Sequence, residues 1–195
     1  MTKTEARMLA GRAKRYAKDL FWELYGRRIR TVELLRPPRS ILFICKGNIC
    51  RSPFADHLAK KIFDGSLRYP IAVGSAGLDV KTPLPSPPNA VEAAGNFGID
   101  LRNHHSKRFT AEMFGEFDMI VSMETRQYQA LSRGSPNSCA KLFLLPFFED
   151  QNRRPGGYER YNLADPYGKG LGEFNRCFQR IERCLDGMAK IINAL

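Results

Sequence analysis

The segment Ile41–Lys61 constrains the fold more strongly than any other part of the 195-residue chain. It opens with the uninterrupted apolar run Ile41–Cys45, which is typical of a strand buried on both faces of a parallel sheet. A short polar loop follows as far as Arg51, and Ser52 and Pro53 then favour the start of a helix, with Ser52 as its expected cap. The segment therefore predicts a buried strand, a tight loop and a helix in direct succession.

The rest of the chain after residue 40 alternates short apolar runs with longer segments of helical periodicity. Further strands are predicted at Ile71–Val73, Met119–Ser122 and Lys141–Leu145, and further helices at about 89–97, 124–131 and 171–194. The last helix carries an apolar stripe of Phe174, Phe178, Ile181, Leu185, Met188 and Ile192. Strands that alternate with helices predict an α/β fold, a three-layer sandwich with a mainly parallel sheet and helices on both faces. Ligands in such folds bind at the carboxyl ends of the strands, where the polar loop lies.

The composition is typical of one domain with an appendage. Hydrophobic residues make up 43% of the chain, enough for one substantial core, and no run of about 18 uncharged apolar residues is present to span a bilayer. The N-terminal residues lack the apolar stretch of a secretory signal, and five unevenly spaced cysteines do not suggest a disulfide framework. The expected location is therefore cytoplasmic, where thiols stay reduced.

The basic charge of the chain is concentrated near its N-terminus. The formal net charge is +11. Residues 1–40 hold eleven Lys and Arg against four Asp and Glu, whereas residues 41–195 hold twenty against sixteen. Because the larger part is nearly balanced, its charge does not favour a nucleic acid as the partner.

Residues 1–35 show helical spacing of apolar and basic side chains, and Pro37 and Pro38 bring that pattern to an end. We therefore expect a basic N-terminal arm, residues 1–38, ahead of a domain of residues 39–195. The arm is expected to pack against protein. Peripheral contact with an anionic membrane and a partly disordered basic tail are the alternatives. The sequence does not fix the oligomeric state.

The loop from Cys45 to Arg51 has the composition of a phosphate cradle. Successive backbone N–H groups that end at a helix N-terminus direct donors at an anion, with a favourable dipole. Gly47 is expected to supply the backbone angles that such a loop needs, and Arg51 a two-pronged donor for two phosphate oxygens. The same field stabilises a thiolate, so Cys45 is predicted to attack phosphorus. The alternative is a buried thiol at the end of a strand and a solvated Arg51.

The spacing alone carries little weight, because a second Cys and Arg, Cys177 and Arg183, lie six residues apart. That pair falls in the predicted last helix and has no glycine, so helical hydrogen bonds consume the backbone amides that would bind an anion. Cys177 and Cys184 are instead predicted to line the core. The first pair is distinguished by its context, with a strand before it, Gly-Asn within it and Ser-Pro and a helix after it.

In this context the stretch CKGNICRSP, residues 45–53, resembles the signature of the low-molecular-weight protein tyrosine phosphatases, in their bacterial-type branch. The resemblance extends over residues 40–195 in the family's order: GSAGL, then GID and a histidine, MET after the third strand, and ADPYGKG before the final helix. It implies a four-stranded, mainly parallel sheet and the hydrolysis of phosphotyrosine in proteins. The reaction would pass through a phosphocysteine intermediate.

The resemblance assigns the catalytic roles to three residues. Cys45 matches the nucleophile, Arg51 the phosphate-binding arginine and Asp165 the general acid, which then acts as the base for the attacking water. A phenolate is a poor leaving group unless it is protonated as it departs, so an acid is needed on the far side of phosphorus. From the residues alone, an Asp before a Pro is an ordinary turn signal.

The same resemblance identifies the binding positions. The substrate-binding set is Lys46, Gly47, Asn48, Ile49, Cys50, Ser52 and Tyr167. Within it, Ser52 would donate a hydrogen bond to the thiolate, and Tyr167 would form a wall against which a substrate ring stacks. Asn48 would hold the loop in shape, with support from Ser75 and His104.

The sequence allows more than one role for each of two loop residues, Cys50 and Lys46. Cys50 either forms a reversible disulfide with Cys45, as the family implies, or packs as a small residue under the loop. Lys46 stands where relatives carry an apolar or small residue, and it either favours acidic substrates, supports the thiolate or faces water. The neighbouring His104 and His105 are not spaced as a metal-binding pair, and we expect neither a metal nor a cofactor.

Three other functions compete with phosphotyrosine hydrolysis. Relatives that reduce arsenate need further thiols after the third strand, and no cysteine lies between Cys50 and Cys139. Relatives that hydrolyse phosphoarginine tend to carry Thr after the loop Asn, where this chain has Ile49. A non-catalytic phosphate-binding scaffold would lack a catalytic residue, and this chain has all three. A bacterial tyrosine kinase is the expected partner by family analogy alone.

Overall fold

The structure, a computed structural model, describes residues 34–195 and four helical residues of the arm, Ala17, Leu20, Phe21 and Leu24. Leu34 and Leu35 are not helical, so the predicted helix 1–35 is too long at its C-terminal end, and its remaining residues lie outside the described residues. Leu20, Phe21 and Leu24 are 45%, 57% and 56% exposed. In the part of the chain that the structure describes, the helices lack the combination of length and hydropathy that spanning a bilayer requires.

One four-stranded sheet forms the centre of the domain. Its strands are β1 (Ser40–Cys45), β2 (Ala72–Gly77), β3 (Met119–Ser122) and β4 (Leu142–Leu144). Their order across the sheet is β2-β1-β3-β4, and all three pairings are parallel. The predicted α/β fold is confirmed, and the sheet is wholly rather than mainly parallel. Because β1 is central, the loop after Cys45 opens in the middle of the carboxyl edge of the sheet.

Helices connect the strands. They are α1 (Arg51–Ser66), α2 (Pro88–Gly95), α3 (Met113–Glu116), α4 (Thr125–Gly134) and α5 (Leu171–Asn193). Short 3-10 turns occupy Pro136–Lys141, Leu145–Phe148 and Gly157–Arg160. The sequence patterns do not predict α3, whose single turn is too short to show a helical period.

Side chains of β1 alternate between two hydrophobic clusters, one on each face of the sheet. Ile41, Phe43 and Cys45 face the larger cluster, which α1, α2 and α5 complete. Leu42 and Ile44 face the smaller one, built with α3 and α4. The uninterrupted apolar run in the sequence is thus explained, since each of its residues, Ile41–Cys45, is buried whichever way it points.

The last helix buries the face that the sequence predicts. All six residues of the apolar stripe are buried, and Cys177 and Cys184 lie on the same side, in the core. Phe178 stacks on Phe54 of α1, with ring centroids 3.8 Å apart. Helix α5 thereby fixes α1, the helix that starts at the Cys45–Arg51 loop.

Two element boundaries differ from the sequence prediction and bear on the site. Helix α1 begins at Arg51 with Cys50 at the cap position, so the prediction of Ser52 as the cap is wrong. The Ser52 hydroxyl instead donates a hydrogen bond to the Cys45 sulfur, outside the helix. Strand β2 extends beyond Val73 to Gly77, because it pairs with β1 along its whole length. Its small residues, Gly-Ser-Ala-Gly, lack the bulky side chains by which strands are recognised in a sequence.

Helix α5 approaches the turn after β4 so closely that only a glycine fits at position 187. A Cβ added to Gly187 would overlap the carbonyl oxygen of Phe148. We expect Gly187→Ala to lower the free energy of unfolding by about 1–3 kcal/mol, because backbone rather than a flexible side chain must move. Thermal unfolding should show a fall in Tm of several degrees.

The matched control lies in the same helix. A Cβ on Gly172 meets nothing nearer than the Arg176 side chain at 3.8 Å, so Gly172→Ala should leave Tm unchanged or raise it. Equal Tm values for the two variants would show that the contact with Phe148 does not constrain the packing.

Candidate active site

The sulfur of Cys45 lies at the floor of the loop and accepts two hydrogen bonds. Cys45 is the last residue of β1 and is 3% exposed. The backbone N–H of Asn48 and the hydroxyl of Ser52 each donate to Sγ over 3.1 Å. Donors placed in this way stabilise negative charge on the sulfur. The structure therefore brings Ser52 to Cys45, as the family resemblance implies.

Asn48 gives the loop its shape. It is fully buried and takes a φ of +51°, in the left-handed region that Asn tolerates better than most residues. Its side chain donates to the Ser52 hydroxyl over 2.9 Å and accepts from the N–H of Lys107 over 2.8 Å. The expectation that Gly47 supplies the unusual backbone angles is wrong, since Asn48 and not Gly47 adopts the positive φ.

The two residues predicted to support Asn48 differ in their contacts. His104 lies 2.7 Å from the Asn48 carbonyl through Nε2. Burial lowers the pKa of His104, which favours a neutral ring that donates its Nε2–H to this carbonyl. Ser75 instead donates to Asp56 of α1 over 3.1 Å. The prediction that Ser75 supports Asn48 is therefore corrected: the hydroxyl on β2 reaches the helix behind the loop.

Gly77 at the end of β2 is a site residue that the sequence analysis does not identify. A Cβ there would lie 2.8 Å from the Asn48 nitrogen and 2.9 Å from the Gly47 carbonyl carbon. The next N–H groups, of Leu78 and Asp79, donate to the carbonyls of Cys45 and Lys46 over 3.1 and 2.9 Å. The loop thus rests directly on the backbone of β2. The GSAG stretch was the available signal, because a glycine at a strand end often marks a close backbone approach.

Arg51 enters the site from the first residue of α1 and is held on several sides. It is 1% exposed. Its Nη1 binds the carboxylate of Glu124 and donates to the Leu163 carbonyl over 2.8 Å, and its Nη2 donates to Asp165 over 2.6 Å. Burial by itself would lower the pKa of this guanidinium, but the charges of Cys45, Asp165 and Glu124 outweigh it and raise the pKa. Arg51 is therefore a fixed, permanent positive charge.

Glu124 is a second site residue that the sequence analysis does not assign. It caps α4, exchanging hydrogen bonds with Gln127 in a capping box, and its carboxylate also binds Arg51. Tyr158 hydrogen-bonds the same carboxylate, and burial first and the charge of Glu124 second raise the pKa of its hydroxyl. The Glu and Gln three residues apart are a recognisable cap signal, but nothing in the sequence connects Glu124 with Arg51.

Asp165 lies between Arg51 and the mouth of the site. Its side chain is 40% exposed, and besides Arg51 it accepts the N–H of Tyr167 over 3.2 Å. Tyr167 is 62% exposed at the rim. The structure therefore brings the predicted acid, the predicted arginine and the predicted aromatic wall to one place, although Asp165 and Arg51 are 114 residues apart in the chain.

These residues surround a cleft of about 380 Å³. Its floor contains Cys45, Gly47, Cys50 and Arg51, and its rim contains Lys46, Ile49, Asp79, Val80, Lys81, Thr82, Leu84, Ser106, Asp165 and Tyr167. The floor offers donors to an anion, and the exposed apolar surfaces of Leu84 and Tyr167 offer contact to a ring. Within the described residues no three His, Cys, Asp or Glu side chains are grouped as metal ligands.

Cys50 lines the same cleft as a buried free thiol. Burial, followed by the charges of Cys45 and Asp165, raises its pKa far above the usual value. Cys50 is therefore a protonated thiol at neutral pH, and a disulfide with Cys45 would have to begin with oxidation of the other sulfur. The redox switch stays a hypothesis beside the simpler packing role.

Comparison with known proteins finds a family that matches most of this chain. A family model described as low molecular weight phosphotyrosine protein phosphatase matches residues 40–194. The chain is 32% identical over 157 residues to EpsP of Ralstonia nicotianae, described as a probable low molecular weight protein-tyrosine-phosphatase, covering 80% of this chain and 98% of EpsP. The matched region begins at residue 40, two residues after the end of the predicted arm.

Solved structures show the same likeness. The chain resembles the tyrosine phosphatase AmsI of Erwinia amylovora with a TM-score of 0.70 and 25% identity, over 83% of this chain and 98% of AmsI. It also resembles a variant of the YwlE arginine phosphatase with a phosphorylated active-site serine, with a TM-score of 0.66 and 28% identity, over 78% of this chain and 94% of YwlE.

The contact between Gly77 and the loop is testable by anion binding. In Gly77→Ala the added methyl must push against the backbone of Gly47 and Asn48, at a cost of about 1–3 kcal/mol. We expect affinity for inorganic phosphate, measured by calorimetry, to fall about tenfold or more. Gly74→Ala on the same strand is the control, because its Cβ meets only side chains at 3.4 Å and beyond. Equal losses in both variants would contradict a specific role for Gly77.

Proposed function

The chain belongs to the low molecular weight protein-tyrosine phosphatase family, and on that premise we propose that it hydrolyses phosphotyrosine in proteins, with Cys45 as nucleophile. Arg51 binds the phosphate and Asp165 acts as general acid and base. The observation that carries the assignment is the hydrogen bond of 2.6 Å between Arg51 and Asp165, two residues that line the same cleft as Cys45. The nucleophile Cys45, the anion-binding Arg51 and the acid Asp165 therefore surround one cleft.

In the first step of the proposed reaction, the Cys45 sulfur attacks phosphorus and forms an S–P bond while the bond to the phenolic oxygen breaks. Asp165 gives its proton to that oxygen, so tyrosine leaves as a neutral phenol. The loop N–H groups and Arg51 hold the three equatorial oxygens as charge builds on them. The product of this step is a phosphocysteine.

In the second step, water attacks the phosphocysteine. Asp165, now a carboxylate, takes a proton from the water, the S–P bond breaks and the sulfur leaves as a thiolate. The donors from Asn48 and Ser52 that stabilise the attacking sulfur also stabilise it as a leaving group. One set of contacts therefore serves both steps.

In the free protein Asp165 is bound to Arg51, and a carboxylate engaged in that way cannot donate a proton. A phosphate dianion competes for the same Nη2 group. Binding of substrate would therefore free Asp165 from Arg51, and the released carboxylate takes up a proton from solvent before it gives that proton to the leaving oxygen. The ion pair holds the acid close to its working position in the free protein.

The resemblance to the YwlE arginine phosphatase makes phosphoarginine the second candidate substrate. Ile49, which lines the cleft, argues against it, because relatives with that preference tend to carry Thr there. Turnover of phosphotyrosine and phosphoarginine peptides of matched sequence separates the two. Arsenate reduction is less well supported because no cysteine lies between Cys50 and Cys139, and a non-catalytic scaffold is less well supported because the described cleft holds all three catalytic groups.

Residues 39–195 are proposed as the phosphatase domain and residues 1–38 as an accessory arm. The exposed Leu20, Phe21 and Leu24 support an arm that packs on a protein partner, for which a tyrosine kinase is the proposal from family analogy. Contact with an anionic membrane at the cytoplasmic face is the alternative, and co-sedimentation with anionic liposomes, with and without residues 1–36, distinguishes them.

Substitution of the nucleophile and the acid tests the proposed reaction. Cys45→Ser should abolish turnover of p-nitrophenyl phosphate, because a serine hydroxyl is not ionised at neutral pH. Asp165→Asn should lower turnover of phosphotyrosine peptides by about 10²- to 10⁴-fold, the usual contribution of a general acid. Cys139→Ser, which changes a cysteine far along the chain from the loop, should behave as wild type. Full activity of Cys45→Ser would overturn the proposal.

The two lysines of the rim predict a preference among peptides. Lys46 and Lys81 are exposed on the cleft and have no ion-pair partner among the described residues. We expect peptides with acidic residues beside the phosphotyrosine to react with a higher kcat/KM than neutral ones, and the difference to shrink with salt. Lys46→Ser should reduce this preference about two- to fivefold, as removal of an exposed ion pair allows. Lys190→Ser on α5 is the control, and a preference that Lys46→Ser leaves unchanged would contradict this role.

A further inference from the structure

We propose that Arg180 of α5 is a positioning residue for Asp165, a role that rests on the function proposed above. Its guanidinium fixes the main chain of residues 159–162. That segment leads within three residues to Asp165, so Arg180 sets where the carboxyl group lies relative to Arg51. The acid loop, defined here as residues 159–165, is thereby joined to the helix that packs behind the active site.

All three nitrogens of the Arg180 guanidinium have a partner. The residue is 8% exposed. Its Nη1 donates to the carbonyl of Asn162 over 3.0 Å, and its Nη2 donates to the carbonyl of Glu159 over 2.6 Å. One planar group thus fixes both ends of the turn between Glu159 and Asn162. A lysine has a single nitrogen and cannot hold two carbonyls and a carboxylate in one plane.

Glu149 holds the Arg180 guanidinium in place. Its side chain is fully buried, at the end of the turn that follows β4. One carboxylate oxygen accepts from Arg180 Nε over 2.9 Å and the other from Arg183 Nε over 3.0 Å. A buried carboxylate needs its cations, because leaving either charge unpaired is costly. Arg180 is therefore restrained to one position.

The same segment is fixed on its other side by the active site. The side chain of Asn162 accepts from the N–H and the hydroxyl of Thr125, both over 2.9 Å. The N–H of Leu163 donates to the Met123 carbonyl over 2.9 Å, and the Leu163 carbonyl accepts from Arg51. The acid loop is thus held between the start of α4 and Arg180.

This arrangement gives Arg180 an effect on chemistry as well as on stability. A displacement of the Asn162 carbonyl would be carried through three residues to Asp165, and an error of about 1 Å in a catalytic group can cost about 10²-fold in rate. A purely structural role would lower activity toward all substrates equally, by reducing the amount of folded protein. A positioning role acts selectively on substrates whose leaving group needs protonation.

The test compares two substrates that differ in this need. Phenyl phosphate has a poor leaving group and depends strongly on the acid, whereas p-nitrophenyl phosphate has a good one. In Arg180→Lys, which keeps a charge for Glu149, we expect the ratio of kcat/KM for phenyl phosphate to that for p-nitrophenyl phosphate to fall about tenfold, part of what a general acid supplies. Arg176→Gln, which breaks only an exposed pair with Glu173 on the same helix, should leave the ratio unchanged.

A double variant shows whether the effect passes through Asp165. The ratio is expected to be low already in Asp165→Asn, and adding Arg180→Lys should not lower it further. A further tenfold fall, or an unchanged ratio in Arg180→Lys alone, overturns the inference. If Arg180→Lys does not fold, Arg183→Gln removes the half-exposed partner of Glu149 and should lower the ratio in the same direction, by about two- to threefold. An unchanged ratio in that variant then overturns it.

The wild-type protein separates this inference from the proposed function. If it turns over neither aryl phosphate, the proposed function fails and Arg180 has no acid to position. If it turns over both and the ratio does not respond to Arg180, only the positioning role fails.

Discussion

The arrangement of the site depends on the buried positive charge of Arg51, the first residue of α1. A buried guanidinium must be surrounded by acceptors, and the chain supplies them from two distant segments, at Glu124 and at 163–165. These contacts bring the end of β3 and the acid loop to the end of β1. The group that binds the anion therefore also assembles the walls of the cleft around it.

A second constraint is the close approach of two backbones beneath the loop. Gly77 allows β2 to lie against Gly47 and Asn48, and the following N–H groups extend the strand pairing into the loop. With its shape set by hydrogen bonds of the Asn48 side chain, the loop holds the Asn48 N–H on the Cys45 sulfur before any ligand arrives. Such preorganisation is what electrostatic catalysis requires, since no energy is then spent on reorienting donors during the reaction.

The site also depends on contacts on the far side of the core. Helix α5 contributes Phe178, which stacks on α1, and Arg180, which binds the acid loop. The buried Glu149 joins this helix to the turn that follows β4. A single helix at the C-terminus of the chain thus touches both the element that carries the arginine and the element that carries the acid.

The sequence determined the strand, loop and helix around Cys45, the alternation of elements and the stripe of α5, because these follow from local composition and from periods of two or 3.6 residues. It also placed Cys45, Arg51 and Asp165 correctly at one cleft through the family resemblance. Three features follow from the folded structure alone: Asn48 rather than Gly47 takes the left-handed backbone, Ser75 binds Asp56, and Glu124 pairs with Arg51. These contacts join residues that are far apart in the chain, and they form because buried charges and backbone donors must each find a partner in the fold. The local sequence pattern around a residue does not indicate which distant residue that partner is.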